Sequence, residues 1–100
     1  MPFCIEQAGP ERLRASGELD FGTAAAALEA GLALLATGPR WTVDLSGITA
    51  GDSAGVAVLV EWLSAASTRS ATLGFESVPE QMLAIARISE LEDLLVPQGS

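Results

Sequence analysis

Near the N-terminus, Phe3 and Ile5, and then Leu13 and Ala15, alternate with polar residues on either side of Gly9-Pro10. A period of two marks a strand with one buried face and Gly-Pro marks a turn, so the chain is expected to open with two short strands. The period then lengthens. Leu28, Leu32 and Leu35 recur at helical spacing until Gly38-Pro39, and Thr23 is placed to cap them with its hydroxyl. This predicts a first helix from about Thr23 to Ala36. Trp41 to Leu45 lies between turn signals and holds Val43 and Leu45, as a buried strand does. Ser46 to Gly51 reads as a loop. Asp52 or Ser53 is then expected to cap a second helix that carries Val56, Leu59, Val60 and Leu63 on one face. Ala71 to Glu76 reads as a strand with Leu73 and Phe75 on one side. Ser77-Val78-Pro79-Glu80 combines a hydroxyl cap, a first-turn proline and a glutamate three residues after the serine, which starts a third helix bearing Met82, Ile85, Ala86 and Ile88. Leu91 to Val96 allows one more short turn or strand, and Pro97-Gln98-Gly99-Ser100 is expected to fray.

Two strands followed by helix, strand, helix, strand, helix predict an α/β layer with helices covering a mixed sheet, as one domain over residues 1–100. A hydrophobic fraction of 49% and a charged fraction of 18% support a real core and argue against disorder. Five basic against thirteen acidic residues give a net charge of -8, which repels phosphate backbones and anionic lipid headgroups. Nucleic acid and direct membrane binding are therefore not expected. Histidine is absent, so the commonest metal ligand and acid-base group is missing, and no cofactor is expected. The one cysteine, Cys4, rules out an intrachain disulfide and is expected as a small buried hydrophobe. Met1 to Glu6 lacks the pattern of a secretory signal, and the apolar run from Ala24 to Ala36, broken by Glu29, is too short to span a membrane. A cytoplasmic location is expected.

The most informative segment is Gly51-Asp52-Ser53-Ala54-Gly55. A helix N-terminus exposes unpaired N–H groups and partial positive charge, which Asp52 or Ser53 can satisfy, while Gly51 and Gly55 leave room for another backbone to approach. Such a site suits partner docking. It also suits regulation, since phosphate on Ser53 would add roughly -1.5 to -2 charges; the plainer reading is that Ser53 only caps the helix. Ala54, Val58, Trp62 and Ala65 form a second apolar stripe on the same helix. Either a partner covers it with Trp62 as anchor, or Trp62 packs beneath a neighbouring helix or loop. Glu18 and Asp20 form a carboxylate pair without an accompanying nucleophile or metal ligand, so catalysis is not expected there. Glu90, Glu92 and Asp93 read as a solvated face. Arg12, Arg14, Arg40, Arg69 and Arg87 are too scattered for a phosphate site.

Ser16-Gly17-Glu18-Leu19-Asp20 resembles the "GELD" segment of STAS domains. Val43-Asp44-Leu45-Ser46-Gly47, followed by Asp52-Ser53-Ala54-Gly55, resembles their central strand and "DSxG" loop. The pieces stand in the family's order, separated by a helix and followed by the segment from Pro79 to Leu95. The resemblance implies a STAS-like (SpoIIAA-like) fold, a mixed sheet of four to five strands covered by three to four helices, and no catalysis. Two branches fit. MlaB-like proteins are accessory subunits of the ABC transporter that moves phospholipids between bacterial membranes and maintains outer-membrane lipid asymmetry. Anti-sigma factor antagonists bind a kinase-type anti-sigma factor and are switched by phosphorylation in the loop. The runs Gly55 to Leu63 and Pro79 to Ile88 look more like the first branch. The second more often has a basic residue in the second helix and a "TGL"-like turn where this chain has Ile88-Ser89-Glu90-Leu91. The resemblance thus implies an ABC transporter ATPase subunit as partner, or alternatively an anti-sigma factor kinase. Contact would run through Asp52, Ser53, Ala54, Gly55, Val58 and Trp62, with Ser53 as the phosphorylatable position. The chain would sit at the inner face of the inner membrane through its partner.

Overall fold

The computed structural model describes residues 2–96. Strand β1 (Cys4–Gly9) pairs antiparallel with β2 (Arg12–Leu19), placing Cys4 opposite Ser16 and Gln7 opposite Leu13. The chain continues through α1 (Ala24–Leu35), β3 (Arg40–Gly51), α2 (Ser53–Thr68), β4 (Thr72–Glu76), α3 (Glu80–Ile88) and the short α4 (Glu92–Leu95). The sheet is mixed and four-stranded, in the order β1-β2-β3-β4, with β2, β3 and β4 parallel. This is the α/β architecture the element order predicts, with four strands and four helices. The crossovers β2-α1-β3 and β3-α2-β4 step the same way across the sheet, so connections of one hand place both helices on one face.

Alternation along the strands decides which face that is. Leu13, Ala15 and Leu19 of β2, and Trp41, Val43 and Leu45 of β3, are buried and join Val56, Leu59, Met82 and Ala86 of the helices in one core. The intervening Arg12, Arg14, Asp44 and Glu76 lie on the open face. There Arg12 pairs with Glu76 at 2.8 Å, and both Arg12 and Arg14 approach Asp44. Cys4 has the same outward parity on β1 and is exposed, not buried as expected, because the inward side is taken by Ile5 and by Phe3 just before the strand.

Several boundaries move for identifiable reasons. Ser46 to Gly51, expected as a loop, extends β3 by pairing with Ser16 to Leu19. Register shifts between Arg14 and Ser16 and between Gly17 and Glu18 break the alternation, so the pattern is not legible in the sequence. Thr23 stands at the start of α1, but its hydroxyl donates to the Glu18 carbonyl at 2.8 Å instead of capping the helix. Ser77 does not cap α3 either. It adopts a positive φ of 56°, and Pro79 takes the N-cap position. Ile88 is 85% exposed, since Met82 and Ala86 define the buried side of α3. The tail segment forms α4, which buries Leu95, and residues 97–100 lie outside the described residues.

The C-terminus of α1 is anchored to both neighbours. The Leu35 carbonyl accepts from Trp41 Nε1 at 3.2 Å and from Arg69 Nη1 at 3.0 Å, and Arg69 Nη2 reaches the Ala36 carbonyl at 3.2 Å. These bonds satisfy carbonyls the helix leaves unpaired, and they put a cation at the negative end of its dipole.

Candidate functional site

Two loops meet at the C-terminal ends of the parallel strands β2 and β3, where α/β sheets usually carry their functional groups. Asp52 joins them. As the N-cap of α2 it accepts from the Gly55 N–H at 3.1 Å through Oδ1, and its Oδ2 accepts from the Phe21 N–H at 3.1 Å in the β2–α1 loop. Asp20 folds that loop on itself, accepting from the Gly22 and Thr23 N–H groups at 3.0 and 3.2 Å. Of the suspected carboxylate pair, Asp20 is thus occupied in a turn, as an aspartate beside a loop commonly is. No cluster of three or more metal-ligating side chains occurs among the described residues.

Partial burial works against the Asp52 carboxylate, but the N–H groups of Gly55, Phe21 and Ala54 outweigh it and hold the group below the ordinary aspartate range. Asp52 is therefore ionised and fully engaged at neutral pH. Ser53, the first residue of α2, is exposed at the tip of the junction, and its capping function has passed to Asp52.

The glycines serve the domain itself. A Cβ on Gly55 would run into the Leu19 carbonyl, and one on Gly51 would strike the side chain of Met82. The room expected for a partner's backbone is filled by β2 and α3. The second apolar stripe of α2 is likewise corrected. Trp62 is 0% exposed, with its indole against Gly31 of α1, its Nε1 donating to the Leu28 carbonyl at 3.3 Å and its ring 6.3 Å from that of Phe3. Val58 is also buried. The burial partner of this stripe is α1, lying beside α2 on the same sheet face, so Trp62 presents no surface to an incoming protein.

Ala54 and Val58 contribute instead to a shallow groove of about 420 Å³ between the N-terminal halves of α1 and α2, beside Ser53. Its other walls are Ala24, Ala25 and Leu28 of α1, Ala57 and Glu61 of α2, and Phe21. Phe21 is 86% exposed. Phe21 was not among the residues expected at the site. The available signal was a large aromatic between Asp20 and Gly22, in a turn where burial is difficult. The groove has the features of a protein-docking surface, with apolar walls, an exposed aromatic at one end and polar groups at the rim.

Comparisons with known proteins place the chain by family and fold. The "Mlab, STAS domain" family model matches residues 5–97. No curated protein sequence matches the chain. Among solved structures, one chain of the Acinetobacter MlaFEDB complex in an ATP-bound conformation is 35% identical, with 90% of this chain and 96% of that chain covered and a TM-score of 0.74. An anti-sigma factor antagonist from Mycobacterium paratuberculosis is 20% identical, covering 98% and 85% of the two chains with a TM-score of 0.69. The phosphorylated Bacillus cell fate determinant SpoIIAA is 16% identical, covering 94% and 88% with a TM-score of 0.67. The last two share the fold, whereas the family match and the 35% identity reach further: the chain belongs to the MlaB-type STAS domain family.

Proposed function

We propose that this chain is a non-enzymatic STAS adaptor subunit of a Mla-type, phospholipid-transporting ABC transporter. It binds and regulates the ATPase subunit at the cytoplasmic face of the inner membrane and so supports outer-membrane lipid asymmetry. The observation that carries this reading is the 35% identity, over 90% of this chain, to a chain of a complex captured with ATP. The site supports it. Asp52 locks the β2–α1 loop to the start of α2, which leaves Ser53, Ala54 and Phe21 on one preorganised surface. No helix among the described residues is long and apolar enough to cross a membrane. On the adaptor reading, the chain is held at the bilayer by its partner.

A second reading, an anti-sigma factor antagonist switched by phosphorylation, is favoured by one observation: the exposed Ser53 at the first turn of α2. Both readings are tested by purifying tagged wild type, Ser53→Glu and Phe21→Ser from the native host and identifying co-purifying chains by mass. Recovery of an ABC ATPase and its permease, reduced at least tenfold in both variants, is the expected result. Recovery of a kinase-type protein instead would transfer the function to the second reading.

A further inference from the structure

We infer that the groove between α1 and α2 seats a basic amphipathic helix of the partner. The inference rests on the adaptor reading for the existence of a partner and adds the chemistry of the segment it takes.

Charge is the first argument. All five basic residues of the chain are arginines, and none lies on α1, within α2 or in either loop at the site. Arg12 and Arg14 are on the open sheet face, Arg40 begins β3, Arg69 follows α2 and Arg87 is on α3. The charged residues near the groove are all acidic. Glu61 lines it, and Glu29 stands one turn beyond Ala25 on the same side of α1. Neither has a salt-bridge partner among the described residues. Asp20 and Asp52 stand at the Phe21 end. An apolar floor with an entirely acidic rim complements a segment whose apolar seam is flanked by lysine or arginine.

Shape is the second argument. The walls are two helices, and four of the lining residues are alanines, so a third helix can approach closely with Phe21 as an aromatic peg at one end. Other occupants fit less well. A second copy would bring one acidic rim against another at a net charge of -8 each, and an anionic lipid meets the same repulsion.

The test is site-specific photocrosslinking in the native host, with a photoreactive amino acid at Phe21 or Ala57 and, as control, at exposed Thr72. The expected result is capture from both groove positions of one partner segment with lysine or arginine flanking apolar residues at three-four spacing, and no such capture from Thr72. Glu61→Arg is expected to lower the yield at least tenfold. Glu6→Arg, the same charge change on the open sheet face, leaves it unchanged, and a compensating lysine-to-glutamate change in the captured segment restores it. Capture of an acidic segment, a second copy or lipid, or no capture from either groove position, overturns the inference. The two proposals fail separately. A basic helix from a kinase-type protein would keep this inference and remove the transporter reading, while an ATPase captured through an acidic segment would do the reverse.

Discussion

Asp52 and Trp62 show how individual side chains were assigned within the domain. Asp52 satisfies an N–H of its own helix and one of the neighbouring loop, so replacing it with alanine is expected to cost about 1 kcal/mol, a typical N-cap loss, in urea denaturation. Its pH signature has a definite sign. The folded-state pKa lies below the ordinary value of about 3.9, so the carboxylate contributes stability that is fully present above that value and is lost as pH falls through the folded value. Asn caps without ionising, so the stability gap between wild type and Asp52→Asn should be flat above about pH 5 and shrink as acid is added; a pH-independent gap would contradict this. Trp62 fills the seam beside Gly31. Trp62→Ala should cost about 3–5 kcal/mol, and Gly31→Ala about 1–3 kcal/mol because a methyl group would overlap the indole. In a Trp62→Phe background the Gly31→Ala penalty should fall, a coupling that a double-mutant cycle measures.

At the scale of elements, α2 is held at its N-terminus by a contact between backbones. Gly55 lets the helix meet the end of β2, and the Asp52 N–H contacts the Leu19 carbonyl at 3.4 Å. A carbonyl cannot rotate out of the way as a side chain can. Gly55→Ala is therefore expected to destabilise by roughly 1–3 kcal/mol despite alanine's better helix propensity. It should also separate the two loops, which hydrogen exchange would register as lost protection of the Phe21 amide. Retained protection would mean that the loops join by some other contact. Farther along the chain, Arg87 links α3 to α4 through Glu92 at 2.8 Å and pairs with Glu80 of its own helix at 3.0 Å; both pairs are exposed, and the four-residue α4 is seated mainly by buried Leu95.

For the whole molecule, one sheet face is closed by helices and the other is an ionic lattice in water, so the surfaces left for apolar docking are few. The helical side offers the groove at the α1 and α2 N-termini, with an exposed Phe21 that contributes little to folding. Phe21→Ser is expected to change stability by no more than about 0.5 kcal/mol while removing most partner binding. A parallel loss of stability and binding would mean that Phe21 acts within the fold. With a net charge of -8 and an acidic rim, binding should also weaken as salt rises from about 0.05 to 0.5 M. A salt-independent affinity would point to an apolar contact alone.

The sequence by itself determined the order of the elements, the inward faces of β2 and α2 and the place where α2 is capped, because those features are local: a period of two or three to four, a turn, a cap. Pro10, Gly38-Pro39 and Asp52-Ser53 punctuate the chain where the elements change. The family resemblance was legible for the same reason, since it rests on short contiguous runs around Glu18 and Ser53. The tertiary structure alone decided what depends on neighbours distant in sequence. It extended β3 through Ser46 to Gly51, because pairing with β2 compensates for an irregular register. It assigned Trp62 to the domain and not to a partner, because α1 lies beside α2 and Gly31 makes room for an indole. It also turned Phe21 outward, because the Asp20 turn and the bond to Asp52 fix that loop's backbone and leave the residue 86% exposed. Periodicity shows which side of a helix must be buried, but only the packed arrangement of elements shows what buries it and which apolar surface remains for another protein.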